Sequence, residues 1–199
     1  MSTSTTPAET LWRPDELSSD ESRMADFLLW TAVRTGRSFS DYQALWRWSV
    51  DRPSEFWTSL FDYFDIDFDG NRQPALVQPS QADRRISDAR WFPGVRLNHA
   101  EHLLRHTGEE VAVISVGDGR PRTVISRDQL REGAARVAEG LRNLGVGQGD
   151  RVAGILPNGV EAIMAFLGAA SIGATWSSCS PDFGTRAVLS RFQQIEPKV

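Results

Sequence analysis

The sequence predicts an α/β fold with a helical N-terminal extension, on three observations. Gly149–Gly184 reads as strand, helix, strand and then a loop of small residues. Residues 111–145 read as a hairpin followed by a long amphipathic helix. Residues 19–64 contain three helix-length stretches with large aromatic residues at helical spacing. A strand–helix–strand unit of this length is a parallel crossover, so helices are expected to cover both faces of its sheet.

Composition bounds the function. The 199 residues suffice for one large domain, or one domain with an extension. A net charge of −4 argues against a general nucleic-acid binder, which carries a basic face. Residues 1–92 hold 15 acidic and 10 basic side chains, a modest asymmetry that names no partner. The single cysteine, Cys179, excludes an internal disulfide and fits a reducing compartment. The first residues lack the basic and apolar regions of a secretory signal, and no apolar run approaches the ~20 residues of a membrane span. A cytoplasmic protein is the expectation. Of 22 basic residues only Lys198 is a lysine, so almost no lysine is available for catalysis.

The organisation expected from these features is a disordered polar tail over 1–10, a helical aromatic-rich extension over 11–92, and an α/β domain beginning at 93. Trp12–Leu17 is where the chain is expected to dock first. Ser19 or Asp20 is placed to cap a helix with Met24, Phe27, Leu28 and Thr31 on its inner face and Gly36 as its stop. Ser40 and Gln43 have the spacing of a capping box for a second helix, with Tyr42, Leu45, Trp46 and Ser49 inward. Pro53 opens a third, where its missing N–H costs nothing, with Trp57, Leu60, Phe61 and Phe64 inward. These helices are expected to pack on the α/β region.

Asp65, Asp67, Asp69 and Gly70 match the first six positions of a calcium loop. Position 12 is Leu76, which cannot ligate, so the expectation is a short strand with Ile66 and Phe68 inward and a turn at Gly70–Asn71. Residues 71–90 read as a connector, and Trp91–Gly94 as a turn. Asn98 is placed to cap a helix holding Leu103 and Leu104. All three histidines, His99, His102 and His106, fall here. Their spacing fails the HExxH pattern, and hydrogen-bonded surface histidines are the expectation.

Val111–Val116 and Thr123–Ser126 are strands joined by a tight turn at Gly117–Gly119. Ser126 and Gln129 form a capping box for a helix with Leu130, Ala134, Val137, Ala138 and Leu141 inward, ended by Gly145. Gly145, Gly147 and Gly149 resemble a dinucleotide loop, but they follow a helix and open a strand. The Rossmann order is the reverse, so these glycines are expected to serve a turn. Arg151–Leu156 is a strand closed by Pro157. Asn158 is placed to cap the helix holding Ile163, Phe166, Leu167 and Ala170, ended by Gly173. Ala174–Ser178 is the second strand. Asp182 or Gly184 starts a last helix with Val188, Leu189 and Phe192, and a new strand is expected to begin at the C-terminal Val199. The chain contains no Walker loop, GxSxG elbow, HExxH or CxxC pair. Cys179 is expected to be a small buried thiol at a strand end, without a partner base.

Three segments carry a resemblance. The segment running from Trp91 to His106 resembles the entry into the main domain of acyl-CoA synthetases of the acetyl-CoA synthetase branch. The stretch from Ser126 to Ala174 resembles the first helix and βαβ unit of the adenylate-forming superfamily. The helical N-terminus, with its pair Phe56-Trp57, resembles that branch's N-terminal extension. The loop from Trp176 to Gly184 is most similar to that of acetoacetyl-CoA synthetases, where acetyl-specific relatives carry a glycine-rich loop. The resemblance spans about residues 11–199 and implies a helical extension packed on the first, truncated part of an adenylate-forming large domain.

The activity it implies is acid–thiol ligation. ATP and Mg2+ convert acetoacetate, a small-molecule substrate, to an acyl-adenylate and pyrophosphate, and coenzyme A then displaces AMP. The family's phosphate loop, magnesium-binding glutamate and catalytic lysine have no counterpart in these 199 residues, so no catalytic residue is assigned and the chain alone is expected to be inactive. One binding site is implied: Ser180, Pro181 and Asp182 match the loop that lines the coenzyme A pocket in relatives. A strand-to-helix turn is the alternative for these three residues. Arg186 and Arg191 are the basic side chains placed to reach a phosphate, unless they are simply solvated. The alternatives for the whole are a synthetase for acetate or propionate, or a non-catalytic interaction domain derived from one.

Overall fold

The computed structural model describes residues 21–78 and 86–199. Ser19, Asp20 and Trp12–Leu17 lie outside the described residues. The chain divides into two compact units. The first runs through the described residues to Ile66 and adds Gly70–Val95; the second comprises Asp67–Asp69 and Arg96–Val199.

The first unit is built on α1 (Arg23–Thr35), α2 (Tyr42–Asp51) and α3 (Pro53–Tyr63). Ser22 caps α1 by accepting from the Ala25 N–H, and Gly36 closes it in the left-handed conformation at φ 69°. Asp41 caps α2, not Ser40. Its carboxylate accepts from the Ala44 N–H at 2.8 Å and holds the Ser40 hydroxyl at 3.1 Å. A charged acceptor at a helix start gains from the helix dipole as well as from the hydrogen bond, so it outcompetes the neighbouring hydroxyl. Those bonds, the Ala44 N–H first, hold the Asp41 carboxyl below its ordinary 3.8.

The inner faces of α2 and α3 are rotated from the expected ones. Leu45 and Trp48 are buried, whereas Tyr42 and Trp46 are exposed. On α3, Phe56, Leu60 and Tyr63 pack against Phe27, Leu45 and Trp48, while Trp57 and Phe64 are exposed. The reason is that several registers of so many aromatics satisfy helical spacing. The one adopted lets the Trp48 indole N–H donate to Glu55 Oε2 at 3.3 Å, which also receives Arg37. The opposite side of α3 meets Trp91 and Phe92, with ring centroids 5.6 Å from Trp57 and 4.7 Å from Phe61. On α1, Thr31 and Phe27 are buried as expected, and Met24 is exposed.

Short strands follow: β1 (Asp69–Gly70), β2 (Leu76–Val77), β3 (Arg90–Trp91) and β4 (Val95–Arg96), with β2 and β3 antiparallel. The strand expected at Ile66–Phe68 is absent. Asp65 has φ 47°, which breaks extended geometry before it, and Phe68 is 40% exposed rather than inward. Gly70 is in β1 instead of a turn, at φ 99°. A Cβ there would fall 2.1 Å from the Gly94 oxygen.

In the second unit α4 (His99–Leu103) is capped by Asn98, as expected. Asn98 does more. Its Oδ1 accepts from the Glu101 N–H, and its Nδ2 donates to the Ala170 oxygen at 2.9 Å, tying the start of one helix to the end of another. A hairpin of β5 (Val111–Gly117) and β6 (Arg120–Ser126) turns at Asp118–Gly119, and β6 is longer at its start than expected. α5 (Arg127–Asn143) begins with the expected Ser126–Gln129 capping box. β7 (Arg151–Ile155), α6 (Val160–Ser171) and β8 (Thr175–Cys179) form the parallel crossover, pairing Arg151 with Thr175 through Ile155 with Cys179.

α6 is capped by Gly159 without a side-chain hydrogen bond, not by Asn158. The Gly159 N–H bonds back to the Pro157 oxygen, a tight turn that delays the helix by one residue. One cluster joins Leu141, Val146, Val152, Ala169 and Ala174; another joins Ala100, Ala134 and Leu167. Coverage of the sheet is uneven: Ile155 is 52% exposed, so helices do not bury both faces among the described residues.

After α7 (Thr185–Ile195), the Lys198 N–H donates to the Arg151 oxygen and the Ala153 N–H to the Val199 oxygen, both at 2.8 Å. These bonds lay the chain against the free edge of β7. Lys198 Nζ also reaches Asp150 Oδ2 at 2.8 Å.

α5 and α6 meet through glycine. A Cβ on Gly168 would lie 2.7 Å from the Val137 Cβ and 2.8 Å from the Ala134 oxygen, whereas one on Gly140 would meet nothing. Gly168→Ala is therefore expected to lower unfolding free energy by about 2 kcal/mol. Gly140→Ala should raise it by roughly 0.5 kcal/mol through helix propensity. Urea unfolding midpoints at constant slope check the pair, and equal responses at the two glycines would refute the contact.

The Lys198 ammonium, and then the Gly147 N–H, hold the Asp150 carboxyl below its ordinary 3.8. A depressed folded value stabilises the fold above the ordinary value and loses that contribution as pH falls through the lowered one. The melting temperature of Asp150→Asn should therefore lie below the parent's at pH 6, and the gap should close as pH falls below the ordinary 3.8 and through the lowered value. A gap independent of pH would contradict the pairing.

Candidate functional site

The loop after β8 lies at the carboxyl end of a parallel strand, where open α/β sheets place ligand-binding residues. Cys179 ends the strand and is buried at 5% exposure, a small packed thiol as expected. Ser180 is half-buried and Pro181 and Asp182 are exposed. The Ser180 hydroxyl donates to Asp182 Oδ2 at 2.9 Å, and the Phe183 N–H donates to the Ser180 oxygen at 3.1 Å. The three residues implied by the resemblance thus form one closed turn whose outer surface is Pro181, the Asp182 carboxylate and Phe183.

Gly184, one of the two expected starts, caps α7 without a side-chain hydrogen bond. Val188 is the buried anchor of α7, while Leu189, expected inward, is 53% exposed. Arg191 lies two turns along the same helix. Its guanidinium sits 4.6 Å from the Phe183 ring centroid and donates to the Ala187 oxygen at 3.0 Å. Sequence reasoning missed the partnership of Phe183 with Arg191, because Phe183 precedes the helix and carries no periodic signal.

The other candidates resolve into structural roles. The Gly147 N–H donates to Asp150 Oδ2 at 2.8 Å and the Gly149 N–H to the Gly173 oxygen at 2.9 Å. These amides are consumed by the turn, so the 145–149 loop does not fit a phosphate. Arg105 stands between His102 Nδ1 and His106 Nε2, 3.2 Å from each, and the His99 ring packs 6.0 Å from Phe166. Asp67 faces Arg105 at 3.9 Å. Among the described residues no group of three His, Cys, Asp or Glu side chains is placed to hold a metal ion. No helix of the described residues is long and apolar enough to cross a membrane.

Residues 100–199 match the family of AMP-binding enzymes, and residues 42–103 match the acetyl-coenzyme A synthetase N-terminus. The chain is 44% identical over 95% of its length to acetoacetyl-coenzyme A synthetase of Rhizobium meliloti, covering 28% of that protein. It is 40% identical over 96% of its length to acetoacetyl-CoA synthetase of Macaca fascicularis, again covering 28%. The solved structure of acetoacetyl-CoA synthetase from Streptomyces lividans superposes with a TM-score of 0.86 at 40% identity, over 96% of this chain and 29% of that one. The chain therefore spans a little over a quarter of the length of these relatives and matches their N-terminal architecture. With a family match across 100–199 and the crossover described above, this chain belongs to the AMP-binding enzyme family.

Proposed function

We propose that the chain is the N-terminal part of an ATP-dependent acetoacetate–CoA ligase. The observation that carries this is 44% identity over 95% of the chain to a protein named for that acyl group. The reading includes the loop from Trp176 to Gly184, where acetyl-specific relatives are expected to differ. In the reaction the acetoacetate carboxylate attacks the α-phosphorus of ATP and expels pyrophosphate. The coenzyme A thiolate then attacks the acyl carbon and AMP leaves with the electron pair of the broken bond. Attachment of AMP supplies a good leaving group. The work left to the protein is positioning and charge stabilisation around phosphates.

The contribution assigned to this chain is contact with coenzyme A through Ser180, Pro181 and Asp182. The turn that closes on itself, with an exposed Pro181 face at the end of β8, supports that assignment. Residues 11–92 act as the extension and 93–199 as the opening of the adenylate-forming domain, in a cytoplasmic enzyme. Magnesium belongs to the ATP step, and no described residue is assigned to it.

The full-length protein carrying this chain, assayed with acetoacetate, acetate and propionate in the presence of ATP, coenzyme A and Mg2+, tests the reading. The expected result is a kcat/KM for acetoacetate at least about tenfold above the others, a ratio that differential pocket contacts can supply. A preference for acetate or propionate would overturn the acyl assignment, and no AMP formation with any acid would overturn the ligase reading.

A further inference from the structure

We propose that Arg105 is a pH-sensitive latch beside a surface cavity of the second unit. With His102 and His106 neutral, the guanidinium is clasped between their rings and faces Asp67; protonation of either ring at its accepting nitrogen releases it. The cavity, of about 480 Å3, is lined by Asp67, Phe68 and Asp69 and by Arg96 and Glu101. All of these residues belong to the second unit. Arg105 Nη1 lies 3.2 Å from His102 Nδ1 and 3.9 Å from Asp67 Oδ2, and its Nε lies 3.2 Å from His106 Nε2. One guanidinium therefore joins two imidazoles at the end of α4 to a residue of the cavity wall.

The clasp exists in one protonation state alone. A guanidinium has donors and no acceptor, and it cannot be deprotonated in a protein. Each imidazole must therefore present a lone pair to it, which assigns His102 the Nε2–H tautomer and His106 the Nδ1–H tautomer, both neutral. A proton added at either accepting nitrogen turns an acceptor into a donor and sets two cations in contact. The charges around the clasp are mixed. Asp67 faces the guanidinium with its side chain 60% exposed, and Asp69, Glu101 and Arg96 line the cavity. From α5, Arg131 donates to the Leu104 oxygen, and Asp128 accepts from the Gly108 N–H at 2.9 Å. The third histidine, His99, packs against Phe166 instead. Among these side-chain types only imidazole ordinarily changes charge between about pH 5 and 8, so the clasp responds there through its rings.

The test is nuclear magnetic resonance of the 15N-labelled 199-residue chain between about pH 7.5 and about pH 5.5, across the imidazole range. The Arg105 Nε–H signal is expected to move from a held to a released position, and the Asp67 and Phe68 amide signals to move with it. The ratio of the two forms should change about tenfold for each pH unit, as for one proton. In the double variant His102→Asn with His106→Gln, a side-chain amide stands near each accepting ring nitrogen, so an acceptor remains that does not titrate. Its Arg105 signal should stay at the held position throughout. Arg105→Gln should keep the Asp67 and Phe68 amides at the parent's acid positions at both ends of the range. Unchanged amide signals elsewhere establish that each variant folds. No step in the parent, or a step of equal size in the double variant, overturns the latch. If the double variant does not fold, Arg105→Gln decides alone: a pH step at Asp67 and Phe68 that survives it overturns the latch, and its loss supports it.

Discussion

The second unit depends on how closely α5 and α6 approach. Gly133 faces the Met164 thioether and Gly168 faces Val137 and the Ala134 backbone, at separations that leave no room for a Cβ. This closeness sets the position of α6, and α6 in turn contributes Ala169 to one buried cluster and Leu167 to another. Close-packed interiors transmit small volume changes, so one added methyl at this crossing would move both clusters together. Asn98 extends the same constraint outward, because its amide bonds the carbonyl end of α6 while its oxygen starts α4. The β7–β8 pair and the loop beyond it inherit their position from that helix.

The first unit is held by a different kind of contact. Phe27, Trp30, Phe56 and Tyr63 meet edge-on or stacked, with centroids 5.0–6.2 Å apart. Such pairs add about 0.5–1.5 kcal/mol each beyond the area they bury. Their polar tips are satisfied at the rim: the Tyr63 hydroxyl donates to Asp26 Oδ2 at 2.5 Å, and that bond, together with some burial, holds the phenol above its ordinary 10.0. The Trp48 indole N–H finds Glu55, whose two oxygens also receive Arg37 and Arg52. An aromatic core with this many equivalent rings needs such directional bonds to choose one arrangement.

The turn at Ser180–Asp182 and the contact between Phe183 and Arg191 both lie just beyond a strand that ends in a buried thiol. Neither requires a long-range network. Backbone amides of the glycine-rich segment at 145–149, which invite a phosphate on sequence grounds, are already bonded to Asp150 and Gly173. Glycine amides already bonded within the turn have no donor left to offer a phosphate.

Local chemistry made much of the fold legible. The Ser126–Gln129 box, the Asn98 cap, the Gly36 stop and the parallel crossover each depend on residues within a few positions, and each was found where its pattern placed it. Ser180–Asp182 was legible, as the alternative to a ligand contact, as a strand-to-helix turn for the same reason. Tertiary structure decided what local rules leave degenerate. Asp41 displaced Ser40 because a carboxylate is the stronger acceptor at a helix dipole, and α2 and α3 turned different faces inward because the Trp48–Glu55 bond selects among aromatic registers. The pairing of Phe183 with Arg191, and the tie from Lys198 to Asp150, join residues that no periodicity connects. By itself the sequence determined the order of the long helices and of the strands from Val111 onward, and the family pattern. Only three-dimensional packing determined which side chains those elements present to one another, because that choice is made by contacts between distant segments.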